Sequence, residues 1–168
     1  LYSSAASDVY KRQVPVGIGA MAAILALDAS KIEEVLSGID DVSIANYNCP
    51  GQIVISGRKE AVEEANAKLL EAGAKRAVML NVSGPFHSAM LAEAGRKLGQ
   101  VLAGVTIHTP VIPYVANVTA QYVTKAEDVR PLLEKQVSSS VRWQQSVEAM
   151  IADGVDTFIE IGPGKTLA

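Results

Sequence analysis

The stretch DVSIANYNCPGQIVISG (residues 41–57) decides the fold of this chain, because it holds two β-rich runs joined by a tight turn. The Cys-Pro-Gly triplet between the runs is typical of such a turn. The segment RKEAVEEANAKLLEAG (58–73) follows, with apolar residues at helical spacing and a final glycine. This pattern predicts an amphipathic helix that ends at Gly73.

The flanking segments extend the hairpin and its helix into a larger unit. Upstream, GAMAAILAL (19–27) is an apolar run that predicts a strand, and ASKIEEVLSG (29–38) predicts a helix with Asp28 as its candidate cap. Downstream, AKRAVMLNV (74–82) predicts another strand. The resulting order, β-α-β-β-α-β, is that of a ferredoxin-like module.

The patterns that follow Gly84 alternate between helix and strand. They predict helices at 87–103, 125–137 and 142–154, and strands at 109–119 and 155–162. Such an alternation indicates an α/β layer built on a parallel sheet.

The composition is that of a globular protein that can bury a core, with 168 residues of which 49% are hydrophobic. A formal net charge of −3 gives no indication of nucleic-acid binding, and no apolar run is long enough for a membrane span. Cys49 is the single cysteine, so no intramolecular disulfide can form and we expect a reducing, cytoplasmic location. Residues 1–13 are polar and rich in serine, and we expect a tail or an artefact outside the fold.

Several motifs that usually carry chemistry are incomplete here. GIGAMA (17–22) fits the G-x-G-x-x-A pattern of dinucleotide-binding turns, but a strand pattern follows it where a helix is required. GPGKT (162–166) lacks the first glycine of a phosphate-binding loop, so a tight turn into a helix is the better interpretation. No G-x-S-x-G motif occurs, and the two histidines and one cysteine do not form a metal-binding pattern. We assign His108, which lies beside a proline, to the surface.

His87, in the stretch NVSGPFHSAML (81–91), has two interpretations. Gly84 and Pro85 bend the chain before it, and the predicted helix after it would bring free amides and a positive dipole end near the ring. Such a position favours the neutral imidazole that a general base requires. A histidine with no partner in view is also an ordinary surface residue, and local sequence does not decide between the two.

Asn46 and Asn48 flank Tyr47 just before the Cys-Pro-Gly turn. The two asparagines could hydrogen-bond their own backbone within a hairpin. Alternatively, they could present a pair of amides to a polar ligand.

Five spaced motifs between Val14 and Ala168 bear on this choice: GAMAAILALD, NYNCPGQIVISG, AGAKRAVMLNVSGPFHSAML, VRWQQSVEAM and EIGPGKTL. Their order and spacing resemble those of the malonyl-CoA:acyl carrier protein transacylases, or ACP S-malonyltransferases. The resemblance implies a ferredoxin-like small subdomain at 14–82 and, at 83–168, part of a large α/β-hydrolase-like subdomain.

The resemblance also implies a ping-pong acyl transfer without a cofactor. A serine takes malonyl from malonyl-CoA and passes it to the phosphopantetheine thiol of acyl carrier protein, and a histidine activates both nucleophiles. By the match of GPFHSAML, that histidine is His87.

Four further positions take roles from the same resemblance. The main-chain carbonyl of Arg142, in the VRW motif, would orient the histidine. Asn46 and Asn48 would lie near the substrate, with Asn48 facing it. Phe86 matches the bulky residue of malonyl-selective relatives, where a large ring would crowd the α-methyl group of methylmalonyl.

The family's serine nucleophile, oxyanion-hole glutamine and carboxylate-binding arginine would all precede Val14. We therefore expect a fragment that is inactive by itself, from a monomeric parent. Two alternatives remain open. One is a non-catalytic module that binds acyl carrier protein through Lys75 and Arg76, and the other is a piece of a polyketide synthase acyltransferase domain.

Overall fold

A computed structural model describes residues 17–82 and 84–162 of the chain. The predicted order β-α-β-β-α-β is present between residues 19 and 79. Its elements are β1 (Gly19–Leu25), α1 (Ala29–Leu36), β2 (Val42–Cys49), β3 (Gln52–Arg58), α2 (Lys59–Glu71) and β4 (Arg76–Met79). The four strands form one sheet in the order β2-β3-β1-β4, and all neighbouring strands are antiparallel.

Both faces of the central strands are covered, which explains the apolar sequences of β1 and β3. Alternate side chains of β1, including Ile24, join the cores of α1 and α2 on one face. On the other face, Met21 packs with Ala45 and Val54 beneath the partly buried ring of Phe86. The residues around Phe86 therefore form the second cover of this sheet.

The predicted turns are confirmed by backbone conformations that favour glycine. Gly51 has a φ of 76° between β2 and β3, and Gly73 has a φ of 108° just after α2. Asp28 occupies the predicted N-cap position of α1, but its side chain makes no capping hydrogen bond.

The second part of the chain begins with a single 3₁₀ turn, Ala89–Leu91, that leads into α3 (Ala92–Ala103). The remaining elements are β5 (Tyr114–Ala116), β6 (Gln121–Val123), α4 (Ala126–Gln136) and α5 (Trp143–Ala152). Strands β5 and β6 form an antiparallel hairpin, and α3 packs against α4. No helix among the described residues is long and apolar enough to cross a membrane.

The predicted parallel sheet is wrong for the described residues. Both sheets in residues 17–82 and 84–162 are antiparallel, and the parallel pairing there is the isolated bridge between Asn46 and Val141. The segment 155–162 is not a strand and leaves Ile161 94% exposed. A buried parallel strand needs a neighbour for its backbone and cover for its side chains, and the described residues supply neither. Of the predicted strand at 109–119, the part before Tyr114 is irregular.

The contact between α3 and α4 depends on a glycine. A Cβ atom at Gly95 would lie 2.8 Å from the main-chain oxygen of Glu134, which cannot move without displacing α4. We expect Gly95→Ala to lower the free energy of unfolding by about 1–2 kcal/mol, because the overlap outweighs the better helix propensity of alanine. The control is Gly99→Ala, whose Cβ would meet the mobile carboxylate of Glu134. Urea unfolding should show little loss for this control, and equal losses would contradict the prediction.

Candidate active site

The loop at 85–88 carries His87 on an unusual backbone. His87 has a φ of 57°, in the left-handed region that side chains with a Cβ seldom adopt. Helix α3 begins at Ala92, so the predicted helix start at His87 is wrong. The cause lies in this loop, which turns through Pro85 and Ser88 before the helix can start. The 3₁₀ turn Ala89–Leu91 lies between the histidine loop and the first residue of α3.

The ring of His87 instead meets the end of another helix. Its Nδ1 atom lies 3.1 Å from the main-chain oxygen of Gln136, the last residue of α4. A carbonyl oxygen can only accept a hydrogen bond, so Nδ1 carries the proton and donates it. The lone pair of the neutral ring is then on Nε2, which is the arrangement that a general base needs.

The main-chain oxygen that contacts the His87 ring is that of Gln136, whereas the resemblance implied the oxygen of Arg142. The Arg142 oxygen accepts hydrogen bonds from the amide and the hydroxyl of Ser146, at 2.9 and 2.7 Å, within the first turn of α5. Sequence reasoning missed Gln136 because a main-chain carbonyl leaves no side-chain signature. The available signal was its place at the end of a helix, where carbonyls lack partners within the helix.

Phe86 lies between two apolar clusters. Its half-buried ring packs against Leu91 and Val137 on one side and against Met21 and Val54 on the other. The residue therefore anchors the histidine loop to both parts of the chain. This packing role is distinct from the substrate contact that the resemblance implies.

Asn46 and Asn48 are both half-buried residues of β2. Two irregularities in the pairing of β2 with β3 fall at these positions, one between Ile44 and Asn46 and one between Tyr47 and Cys49. Val141 pairs with β2 at Asn46. Its N–H donates a hydrogen bond to the Ala45 oxygen, and its own oxygen accepts one of 2.9 Å from the N–H of Tyr47. The segment that begins with Gln136 therefore contacts both His87 and the asparagine strand.

A cavity of about 450 Å³ lies next to Asn48. The turn after β2, the first two turns of α5 and residues 158–160 line it, and Trp143 supplies a large apolar surface. Asn46, Phe86 and His87 are not among its lining residues. Of the predicted substrate residues, Asn48 is thus the one that faces this space.

Tyr47, between the two asparagines, joins β2 to its surroundings. Its hydroxyl donates a hydrogen bond of 2.7 Å to the carboxylate of Glu33, and the guanidinium of Arg142 lies 5.9 Å from its ring centroid. Burial, with the hydrogen bond and the negative charge of Glu33, raises the pKa of Tyr47 to about 12, and Arg142 opposes this shift.

The raised pKa of Tyr47 predicts that the free energy of unfolding falls at alkaline pH. The folded chain holds the Tyr47 proton to a pKa of about 12, whereas the ordinary tyrosine pKa is 10.0. Unfolding therefore releases a proton between these pH values, and stability falls as the pH rises through them. In a titration of tyrosinate absorbance, the difference between wild type and Tyr47→Phe should be one group that ionises near the upper value. If the tyrosine that is absent from Tyr47→Phe ionises near 10.0 in wild type, the raised pKa of Tyr47 is contradicted.

The remaining candidates do not form a second site. His108 is exposed, as predicted for a surface residue. Ser88, the serine next to His87 in sequence, is 3% exposed, and its hydroxyl donates to the Pro85 oxygen at 2.8 Å. In residues 17–82 and 84–162, no cluster of three or more His, Cys, Asp or Glu side chains could hold a metal ion. Residues 1–13 and most of the GPGKT segment lie outside the described residues.

Comparison with known proteins places this chain in a family. The model of the acyl transferase domain matches residues 7–168. The chain therefore belongs to the acyl transferase domain family.

The relatives are more specific than the family model. The malonyl CoA-acyl carrier protein transacylase of Bacillus subtilis is 47% identical over 159 residues, which are 92% of this chain and 50% of that protein. A solved transacylase of the same name from Xanthomonas oryzae superposes with a TM-score of 0.92 at 38% identity, over 96% of this chain and 52% of that one. The chain thus spans about half the length of the relatives it matches.

A further solved relative includes a carrier protein. It is a malonyl-transacylase in complex with its type II polyketide synthase acyl carrier protein. The TM-score is 0.90 at 42% identity, over 97% of this chain and 54% of that one.

Proposed function

We propose that this chain is the C-terminal part of a malonyl-CoA:acyl carrier protein transacylase in which His87 is the general base. The observation that carries the proposal is the hydrogen bond from His87 Nδ1 to the Gln136 carbonyl. In this arrangement, Nε2 accepts the proton of a serine hydroxyl while the serine attacks the thioester of malonyl-CoA. The ring gives this proton to the leaving CoA thiolate, which restores the neutral Nε2. In the second half-reaction, Nε2 accepts the proton of the phosphopantetheine thiol while the sulfur attacks the malonyl ester, and the ring returns the proton to the leaving serine oxygen.

The C-terminus of α4 contributes charge stabilisation in this proposal. Its carbonyl groups carry a partial negative charge, and the one of Gln136 contacts the ring. Uptake of a proton at Nε2 makes the ring positive in the transition state, so the helix end and the ring charge attract each other. A carboxylate is not required for this orientation, because the main chain supplies the acceptor.

The nucleophilic serine lies outside this chain in our proposal. Ser88 is the nearest serine in sequence, but it is buried and its hydroxyl is engaged with Pro85. The chain also spans only about half of its relatives, which leaves room for a nucleophile elsewhere in the full-length protein. We therefore expect the isolated chain to be inactive.

The subdomain assignment supports the same proposal. The sheet order β2-β3-β1-β4, with α1 and α2 on one face, is consistent with a ferredoxin-like small subdomain at 14–82. Residues 83–168 would form part of a large α/β-hydrolase-like subdomain, and residues 1–13 a tail. Asn46, Asn48 and Phe86 are the proposed substrate neighbours, and malonyl is the proposed acyl group.

The test is a transfer assay on the full-length protein that contains this segment. Radiolabelled malonyl-CoA and phosphopantetheine-bearing carrier protein are mixed with the enzyme, and label on the precipitated carrier is counted. We expect transfer from malonyl-CoA and little from methylmalonyl-CoA or acetyl-CoA. Absence of malonyl transfer to carrier proteins of both fatty-acid and polyketide synthesis would contradict the proposal.

One observation favours a second candidate, a module that binds acyl carrier protein without catalysis. Lys75 and Arg76 are exposed at the start of β4, and neither makes an ion pair with a residue that the structure describes. Two free cations at a sheet edge suit an acidic partner. Titration of the isolated chain with carrier protein at low and high salt tests this candidate. An unchanged affinity of Lys75→Glu for carrier protein would contradict a contact through Lys75.

A further inference from the structure

The strained backbone of His87 needs a support. A left-handed conformation at a residue other than glycine costs free energy and persists where the surrounding structure fixes it. The φ of 57° at His87 is such a case. Two nearby residues, Pro85 before His87 and Ser88 after it, make the contacts that fix the conformation of this loop.

The first support is the contact between Pro85 and Gly19. Pro85 is fully buried, and its ring lies so close to β1 that a Cβ atom at Gly19 would overlap three of the ring carbons. Gly19 is also the second glycine of the GIGAMA motif, and it begins strand β1 where a dinucleotide-binding turn would lead into a helix. Its lack of a side chain is what allows the loop to rest on the sheet.

The second support is the hydroxyl of Ser88. This side chain is 3% exposed and donates a hydrogen bond of 2.8 Å to the Pro85 carbonyl, across Phe86 and His87. The Ser88 carbonyl in turn accepts the amide of Leu91 at 3.0 Å, which starts the turn that follows. The loop is thus closed on itself and joined to the next element.

We propose that Gly19 and Ser88 are positioning residues that fix the backbone of His87 so that its ring reaches the Gln136 carbonyl. This inference rests on the proposed function of His87 as the general base. General-base catalysis depends on geometry first, and a misplacement of about 1 Å can lower a rate by about 100-fold. Gly19 acts through Pro85, and Ser88 acts through the turn, without either touching the reacting atoms.

The kinetic test compares three variants of the full-length protein. Gly19→Ala and Ser88→Ala should lower kcat by about 10- to 100-fold and leave the KM for malonyl-CoA within about twofold. Ser88→Cys, which keeps the size and a weak donor, should recover part of kcat. The matched control is Gly84→Ala in the same part of the chain, because its Cβ would meet no atom within 4 Å.

A spectroscopic test on the 168-residue chain separates this inference from the proposed function. The chain has only two histidines, His87 and exposed His108, so their ring nitrogens can be resolved by ¹⁵N NMR. In wild type and Gly84→Ala, His87 should show one tautomer with the proton on Nδ1. In Gly19→Ala and Ser88→Ala, it should show averaged tautomers, which we also expect for the exposed ring of His108.

Two results would overturn the inference that Gly19 and Ser88 position His87. Retention of the Nδ1-protonated tautomer together with normal kcat in Gly19→Ala and Ser88→Ala would overturn the inference. Equal loss of the tautomer in Gly84→Ala would also overturn it, because general loosening would then be the cause. If the full-length enzyme transfers no malonyl, the proposed function fails, while the NMR comparison still tests the positioning of His87.

Discussion

In the full-length protein, His87→Ala is expected to lower kcat/KM for malonyl transfer by about 10²–10⁴-fold. The reason is that the same Nε2 atom serves both half-reactions, first for the serine and then for the thiol. The Gln136 oxygen lies 3.1 Å from Nδ1 of the ring, and an alanine side chain has no nitrogen that could accept a proton. Steady-state transfer of radiolabelled malonyl to carrier protein measures this loss.

His108→Ala is the matched control for this prediction. His108 is exposed, so its removal changes the same residue type at a position without a site. We expect its kcat/KM to equal that of wild type. Near-normal transfer in His87→Ala, or an equal loss in both variants, would exclude His87 as the base.

Leu69→Ala is expected to lower the free energy of unfolding of the chain by about 2–5 kcal/mol. Leu69 is fully buried on α2 and belongs to the core between the two helices and the sheet. Its neighbour Leu70 is 47% exposed on the same helix, so Leu70→Ala should cost about 0.5 kcal/mol or less. Urea unfolding followed by circular dichroism measures both values. Similar losses in the two variants would contradict the packing of α2 on the sheet.

The fold of residues 19–79 was predictable because each local signal agreed with the others. The spacing of apolar residues in α2, the turn at Gly51 and the stop at Gly73 are all short-range properties of the sequence. Segment 155–162 shows the limit of this reasoning. Its apolar residues are typical of a buried strand, but a strand also needs a pairing partner, and pairing is not a local property.

The candidate site was only partly predictable, for a related reason. His87, Phe86 and Asn48 carry side chains that a motif can reveal, and the resemblance assigned them roles. Gln136 contacts His87 through its main-chain oxygen. Gly19 contributes by having no side chain, which leaves room for the ring of Pro85. The sequence does not show which residue either feature contacts, and both contacts are visible only where segments distant in sequence meet in the structure.

The location of the malonyl group on the enzyme tests the central proposal most directly. The full-length protein is incubated with radiolabelled malonyl-CoA without carrier protein, digested and mapped by mass spectrometry, with the isolated chain as control. We predict one malonyl ester on a serine outside residues 14–168, its release upon addition of carrier protein, and no label on the isolated chain. A malonyl ester on a serine within residues 14–168, or a full-length protein that takes no label, would contradict the account.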